Sequence, residues 1–337
     1  PEHVMAFAPT RSGKGVGLVV PTLLSWTGSV VVHDIKGENW DLTSGWRSQF
    51  SRCVRFDPTD YHAPRFNPLL EVRLGLREVQ DAQNIADILV DPMGTLEDGG
   101  HWKDKARELL VATILHVLYV EDDKTLAGCA AFLSNPERSL QDTLKVMIET
   151  KHKVDAGGEA YAHPDVAQTA RQLLDNSPNE RSGILSTTQR FLSLYRDPII
   201  ANVTSQSDWR IADLMEGDAP LSLYLACPPS DLSRTKPLMR LILNQIARQL
   251  TEKLPKNNAR KLLLMLDEFP ALGRLDFFES SLAFMAGYGL RAFLISQSLN
   301  QIEKAYGPNN SILDNCHVRV AFATNDERTA KRLSDAI

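Results

Sequence analysis

Residues 262–269 read Leu-Leu-Leu-Met-Leu-Asp-Glu-Phe. Apolar residues run without a break into two adjacent carboxylates, Asp267 and Glu268. A short continuous apolar run bounded by polar residues fits a strand buried on both faces, as in a parallel sheet. Open α/β sheets bind ligands beyond the carboxyl ends of their strands, which is where this acid pair falls. Taken alone, the pair also fits a strand that simply ends in solvent-facing acids.

The other end of the chain decides between these readings. Val4-Met5-Ala6-Phe7 is a short apolar run, followed by Ala8-Pro9-Thr10-Arg11-Ser12-Gly13-Lys14-Gly15 and then Val16-Gly17-Leu18-Val19-Val20. The order is strand, small-residue loop, helix. Backbone N–H groups in such a loop cradle phosphates at a helix N-terminus, and the lysine reaches the β- and γ-phosphates. The expected phosphate contacts are Thr10, Arg11, Ser12, Gly13, Lys14, Gly15 and Val16. The match to G-x-x-x-x-G-K-[ST] departs twice. Ala8 replaces the first glycine, and Gly15 replaces the Ser/Thr whose hydroxyl would ligate Mg²⁺. Ser12, Asp267 or water is left to supply that ligand. In P-loop ATPases the first acid of such a pair positions Mg²⁺ and the second orients the attacking water. Asp267 is therefore the expected metal ligand and Glu268 the expected catalytic acid, with ATP and Mg²⁺ as the bound species.

A chain of 337 residues suffices for two domains or one large one. A net charge of −5 gives no general basic footprint, so any nucleic-acid contact is local or uses another segment. No apolar run reaches membrane-spanning length, and no signal peptide is present. The chain reads as an excised soluble region of a longer protein, with a membrane anchor open upstream of Pro1. Cys53, Cys129, Cys227 and Cys316 form no C-x-x-C and no zinc spacing, so reduced core cysteines are expected.

Strands are expected at Val4–Phe7, Val30–His33, Cys53–Phe56, Leu221–Cys227, Leu262–Leu266, Ala292–Ser296 and Val318–Ala323. Amphipathic patterns such as Pro237–Lys253 follow several of them, which argues a parallel α/β sheet with helices on both faces. Between the two groups, Val79–Leu89, Ala106–Val117, Leu140–Ile148, Val166–Leu174 and Gly183–Tyr195 have helical spacing, and no convincing strand intervenes. The expected organisation is a nucleotide-binding domain at 1–75 and 208–337, interrupted by an all-α domain at 76–207.

Three further features bear on the site. Gln297 ends an apolar strand that follows Glu268, where it could sense the γ-phosphate or hold the attacking water. Asp34-Ile35-Lys36-Gly37-Glu38, behind His33, is either a ligand- or subunit-facing turn or a solvated one. A transition-state arginine is also required, often from a neighbouring subunit. Arg274, Arg291, Arg319 and Arg328 are the candidates, and the sequence does not choose among them.

Together these motifs carry a resemblance. The phosphate loop Ala8–Gly17, Asp34–Glu38, Leu266–Gly273, Ala286–Arg291 and Ile295–Ser298 resemble, in order, those of the TraG-like type IV secretion coupling proteins. The resemblance covers nearly the whole chain. It implies a RecA-like P-loop NTPase domain interrupted by an inserted all-α domain, and a ring of six subunits with ATP between them. It implies Lys14, Gly13 and Gly15 on phosphates, Asp267 on Mg²⁺, Glu268 on water and Gln297 as γ-phosphate sensor. It also implies an anchor at the inner membrane, and recruitment of a relaxase with its single-stranded DNA, or of effector proteins, to a type IV secretion channel. Distant relatives place a trans-acting arginine near Ala286–Tyr288, where this chain has none.

The expected function is an ATP-driven DNA-translocating coupling protein. The rival is an ATP-binding substrate-receptor scaffold that does not pump, which the acidic balance favours. The set Asp267, Glu268 and Gln297 favours the motor, because a scaffold needs no water-activating acid. An ordinary kinase or GTPase is disfavoured, since no N-K-x-D guanine signature occurs.

Overall fold

The computed structural model describes residues 3–94, 100–255, 260–323 and 326–334. The chain divides into two compact units. One comprises Pro1–Thr59, Met93–Leu96 and Trp209–Ile337, the other Asp60–Pro92 and Glu97–Asp208.

The first unit is built on a seven-stranded sheet. Its strands are β1 (Val4–Phe7), β2 (Ser29–Asp34), β3 (Arg52–Phe56), β6 (Leu221–Ala226), β7 (Leu262–Leu266), β8 (Leu290–Ser296) and β9 (Val318–Ala321). A two-stranded hairpin, β4 (Lys153–Val154) with β5 (Ala160–Tyr161), belongs to the second unit. The sheet order is β3-β6-β2-β7-β8-β1-β9, and every pairing within it is parallel. Parallel sheets put helices on both faces, so central strands bury both sides and lose alternation. Every residue of β2, β6 and β7 is buried, Ser29, His33 and Asp34 included. On one face Ala6, Val30, Val32, Met265 and Ile295 pack against Val19 and Leu23 of the segment after the phosphate loop. Each of the valine, leucine, isoleucine and methionine side chains contributes roughly 1.5–3 kcal/mol by leaving water.

Two polar devices fasten this unit. Asp34 ends β2 and accepts hydrogen bonds from the Asn39 N–H (3.3 Å), the Asn39 Nδ2 (3.2 Å) and the Trp40 N–H (2.8 Å). It thereby satisfies donors in the first turn of the helix Glu38–Arg47, where a negative charge also suits the helix dipole. Arg47, at the other end of that helix, is wholly buried. Its guanidinium donates to the carbonyls of Leu23 (2.7 Å), Trp26 (2.6 Å) and Gly28 (2.7 Å) and to the Ser222 hydroxyl (2.8 Å). Those carbonyls close the helix Val20–Ser25 and lead into β2, so one cation ties three segments.

The second unit is helical apart from the hairpin. Its main helices are Glu78–Val90, His101–Val120, Leu126–Leu133, Leu140–Glu149, Pro164–Asp175 and Pro178–Leu192. Side chains of Thr125, Ser139, His163 and Ser177 accept backbone N–H groups at four of the N-termini. The hairpin corrects the expectation of no strand here. Its two-residue strands are too short for any alternation to show, and the His152 N–H bond to the Tyr161 carbonyl (3.0 Å) extends the pairing. Beneath it Glu78, 1 % exposed, is bonded by the Gly75 N–H (2.7 Å), Tyr119 Oη (2.5 Å), His163 Nε2 (3.0 Å) and Lys153. Burial pushes the Glu78 carboxyl up, but these four donors outweigh it and hold it at about 2.

Residues 60–75, expected with the nucleotide-binding part, group with the helices. The reason is local bonding. The Phe66 N–H donates to the Val203 carbonyl (2.9 Å), Asn67 Nδ2 to that of Lys124 (2.9 Å), and Arg65 Nε to the Asp208 carboxylate (3.1 Å).

Candidate phosphate-binding site

β1 lies between β8 and β9, and β8 pairs with β7, so the carboxyl ends of β1, β8 and β7 are neighbours. The Ala8 N–H continues the β1–β8 ladder by donating to the Ser296 carbonyl (2.9 Å). The chain then turns. Arg11 (φ 63°) and Gly13 (φ 84°) are both left-handed. Glycine adopts this freely, whereas at Arg11 it stores roughly 1–3 kcal/mol of strain, a mark of functional loops. Nothing lies within 4 Å of a Cβ built at Gly13 or Gly15, so the loop is open on that side. The Gly17 N–H then closes on the Gly13 carbonyl (2.8 Å), and a wide π-turn, Gly15–Val19, runs into the helix Val20–Ser25.

Lys14 reaches from this loop to the acid pair. Its Nζ lies 2.7 Å from Asp267 Oδ1 and 2.6 Å from Glu268 Oε1. Burial would lower the lysine pKa, but hydrogen bonds and charge from Asp267 and Glu268 outweigh it, and the net shift is upward. Lys14 is therefore a cation at neutral pH. Gln297 completes the group, its Nε2 lying 3.2 Å from both carboxylate oxygens of Glu268. Gln301 fixes Gln297 in turn, since its Oε1 accepts from the Gln297 N–H (3.0 Å) and the Ser296 hydroxyl (3.0 Å).

The acid pair has its own constraints. Glu268 is left-handed (φ 51°) and heads a 3₁₀ turn, Phe269–Leu272. Its N–H donates to Asp267 Oδ1 (2.9 Å). The Asp267 carbonyl accepts from His33 Nδ1 (2.7 Å). A carbonyl only accepts, so Nδ1 carries the proton. Burial lowers the His33 pKa, so the ring is neutral and holds the β7 end from β2. His33 is thus a brace behind Asp267. Nothing in sequence flagged Gln301.

The structure thus brings Lys14, Asp267, Glu268 and Gln297 within hydrogen-bonding reach, from positions 283 residues apart in sequence at the extremes. The side chains of Thr10, Arg11 and Val16 are exposed, while Ser12 is half-buried with its hydroxyl inaccessible and without a hydrogen-bond partner. The Asp34 turn was open between a ligand-facing and a solvated reading. Asp34 itself is a buried helix cap, and its neighbours Lys36 and Glu38 are exposed and paired at 3.8 Å. The four arginines raised as transition-state candidates are engaged within the chain. Arg274 meets Asp276 (2.5 Å), Arg291 the Ala286 carbonyl (2.6 Å), Arg319 the Leu313 carbonyl (3.0 Å) and Arg328 Glu303 (2.6 Å). All four cysteines are free thiols, and burial pushes those of Cys227 and Cys316 up, to about 11 and about 12.

A family model described as type IV secretory system conjugative DNA transfer matches residues 1–337. The chain belongs to this family. It is 45% identical to a conjugal transfer protein TraG of Escherichia coli, over 99% of this chain and 54% of that protein. It is 32% identical to protein VirD4 of Rhizobium radiobacter, over 99% of this chain and 48% of that one. The chain therefore spans about half the length of the curated relatives it matches. The solved plasmid coupling protein TrwB in complex with ADP and Mg²⁺ has the same fold. Its TM-score is 0.72 at 18% identity, covering 99% of this chain and 74% of that one. The chain is thus an α/β protein, built on a parallel sheet, with the fold of that coupling protein. Among its described residues no helix is long and apolar enough to cross a membrane.

Proposed function

We propose that this chain is the ATP-hydrolysing motor region of a type IV secretion coupling protein. The observation that carries the reading is the contact of one lysine with two consecutive acids, the second of which is also held by Gln297. A site that only bound nucleotide would need the loop and the lysine. Glu268 and its amide partner add a base and a water-orienting group.

Roles follow from chemistry. Lys14 exchanges its carboxylate partners for β- and γ-phosphate oxygens. The loop amides from Ser12 to Val16 donate to phosphate oxygens at the head of the following helix. Glu268 accepts a proton from the attacking water, and Gln297 orients that water or senses the γ-phosphate. The residues suit Mg²⁺. Asp267 offers a hard oxygen donor, and the orphaned Ser12 hydroxyl is a second oxygen in the loop. Among the described residues no group of three or more His, Cys, Asp or Glu is gathered for a metal. Mg²⁺ tolerates this, because it commonly takes one or two protein carboxylates and fills its shell with phosphate oxygens and water. Bound there, Mg²⁺ would neutralise charge on the transferring phosphoryl group.

The wider reading is a homo-hexamer at the cytoplasmic face of the inner membrane, anchored by a segment of a longer protein. It would recruit a relaxase with its single-stranded DNA, or effector proteins, and drive transfer through the secretion channel. The TraG and VirD4 relatives support it. The inserted helical domain would take part in substrate recognition. The test is ATP hydrolysis with and without single-stranded DNA, beside Lys14→Ala and Glu268→Gln. DNA-stimulated turnover lost in both variants is the expected result. Nucleotide binding without turnover in assembled rings would instead favour the receptor scaffold, which the net charge of −5 also favours.

A further inference from the structure

The loop behind Glu268 is gripped from two sides. Glu268 leads into the turn Phe269–Leu272, closed by the Ala271 N–H on the Glu268 carbonyl (2.8 Å) and the Gly273 N–H on the Pro270 carbonyl (3.0 Å). Arg240 approaches from the helix Leu232–Leu250 and is 1 % exposed. Its Nη1 donates to the carbonyls of Leu272 (3.0 Å) and Arg274 (2.6 Å). On the other side the Arg274 N–H donates to the Gly94 carbonyl (3.0 Å).

Two left-handed glycines permit this crossing. A Cβ on Gly94 (φ 63°) would lie 1.9 Å from Arg240 Nη1 and 2.6 Å from the Arg274 carbonyl oxygen. A Cβ on Gly273 (φ 73°) would lie 2.3 Å from the Met93 carbonyl oxygen. Either would force the backbones apart. Met93 and Gly94 lie in sequence between two helices of the second unit, yet they group with the sheet.

We infer that Arg240 is a positioning residue for Glu268. By fixing the Leu272 and Arg274 carbonyls against the Met93–Gly94 crossing, it keeps the turn wound. The wound turn keeps Glu268 left-handed, with its carboxylate on Lys14 and Gln297. A non-glycine residue leaves that conformation when released, because its Cβ crowds the following carbonyl. The sheet does not depend on this grip, since β7 is paired independently with β2 and β8. Loss of Arg240 should therefore free the turn and spare the strand. This inference rests on the reading of Glu268 as the acid that activates water.

The test compares Arg240→Met, Arg240→Lys and Gly94→Ala with the unaltered chain. Amide hydrogen exchange and steady-state ATP turnover are both read, with Glu268→Gln as control. Arg240→Met and Gly94→Ala should speed exchange at Ala271, Gly273 and Arg274 about tenfold or more while Leu262–Leu266 stay protected. Turnover should fall about 10- to 100-fold with KM for ATP within about twofold, and Arg240→Lys should recover part of it. Unchanged exchange at those amides overturns the proposal. So does faster exchange with full turnover, or general loss of protection with kcat and nucleotide affinity falling together. Gly94→Ala keeps the test open if Arg240→Met does not fold. Turnover by Glu268→Gln equal to the unaltered chain, or none in the latter, would refute the reading of Glu268 instead. The exchange measurement then decides the grip by itself.

Discussion

Removing the Lys14 ammonium has two separable consequences. In the free chain it makes charge-assisted bonds of 2.7 and 2.6 Å to Asp267 and Glu268, with 16% of the lysine side chain exposed. The gross attraction of one such pair at 4 Å is about 4 kcal/mol at an effective dielectric of 20. Most of that is offset by desolvation, and measured hydrogen bonds to charged groups contribute about 1.5–3 kcal/mol. Lys14→Ala should therefore cost the free chain about 2 kcal/mol. The cost is not the sum of both bonds, because Glu268 keeps Gln297 and Asp267 keeps the Glu268 N–H. A double-mutant cycle with Glu268→Gln should show coupling of about 1–2 kcal/mol in denaturant unfolding. The pH dependence has a fixed sign. The folded pKa of Lys14 is raised, so its contribution is full below the ordinary value of 10.5 and fades as pH climbs beyond it. Nucleotide supplies the second consequence. At one hundred times its dissociation constant a ligand stabilises by about 2.7 kcal/mol. The unaltered chain should gain that with ATP and Mg²⁺, and Lys14→Ala should gain almost none. Additive single-site effects, or an equal gain in the variant, would refute the reasoning.

Three more outcomes are expected. On the proposed water-orienting role, Gln297→Ala should lower kcat by about 10- to 100-fold with KM for ATP little changed; single-turnover kinetics check this. Arg47→Met should destabilise the chain by about 3 kcal/mol, since one buried and two part-buried carbonyls lose their donor, and urea unfolding reads it. The neutral buried His33 has a folded pKa below 6.5, so the unfolded chain binds the extra proton and stability falls as pH drops below 6.5. His33→Gln should reduce that acid slope in melts taken between pH 7 and 5.

The sheet was legible because its central strands are buried on both faces. Leu262–Leu266 leaves no other use for five apolar residues, and the acids that end it fall where the topology puts a ligand. Gln297 was legible because β7 and β8 are consecutive in sequence and adjacent in the sheet. Other features were hidden for physical reasons. The helix Leu126–Leu133 is apolar on nearly every side, so it shows no period. Arg47 and Arg240 carry no mark in sequence, because sequence does not reveal carbonyls assembled from distant segments. Asp34 looked equally like a solvated turn, since a cap and a turn use the same residues. The left-handed backbone at Arg11 and Glu268 has no signal at all in side-chain identity.

The place of β1 in the sheet also sets an order of events. Val4–Phe7 pairs with β8 and β9, whose residues come about three hundred positions later. Contacts this distant form slowly, and on a ribosome they wait for β8 and β9 to emerge. β2, β3 and β6 can associate first, leaving the phosphate strand as an unpaired apolar segment. Nucleotide binding would then wait for β8 and β9, and a chain truncated before β8 should lack it even with its entire lysine loop present.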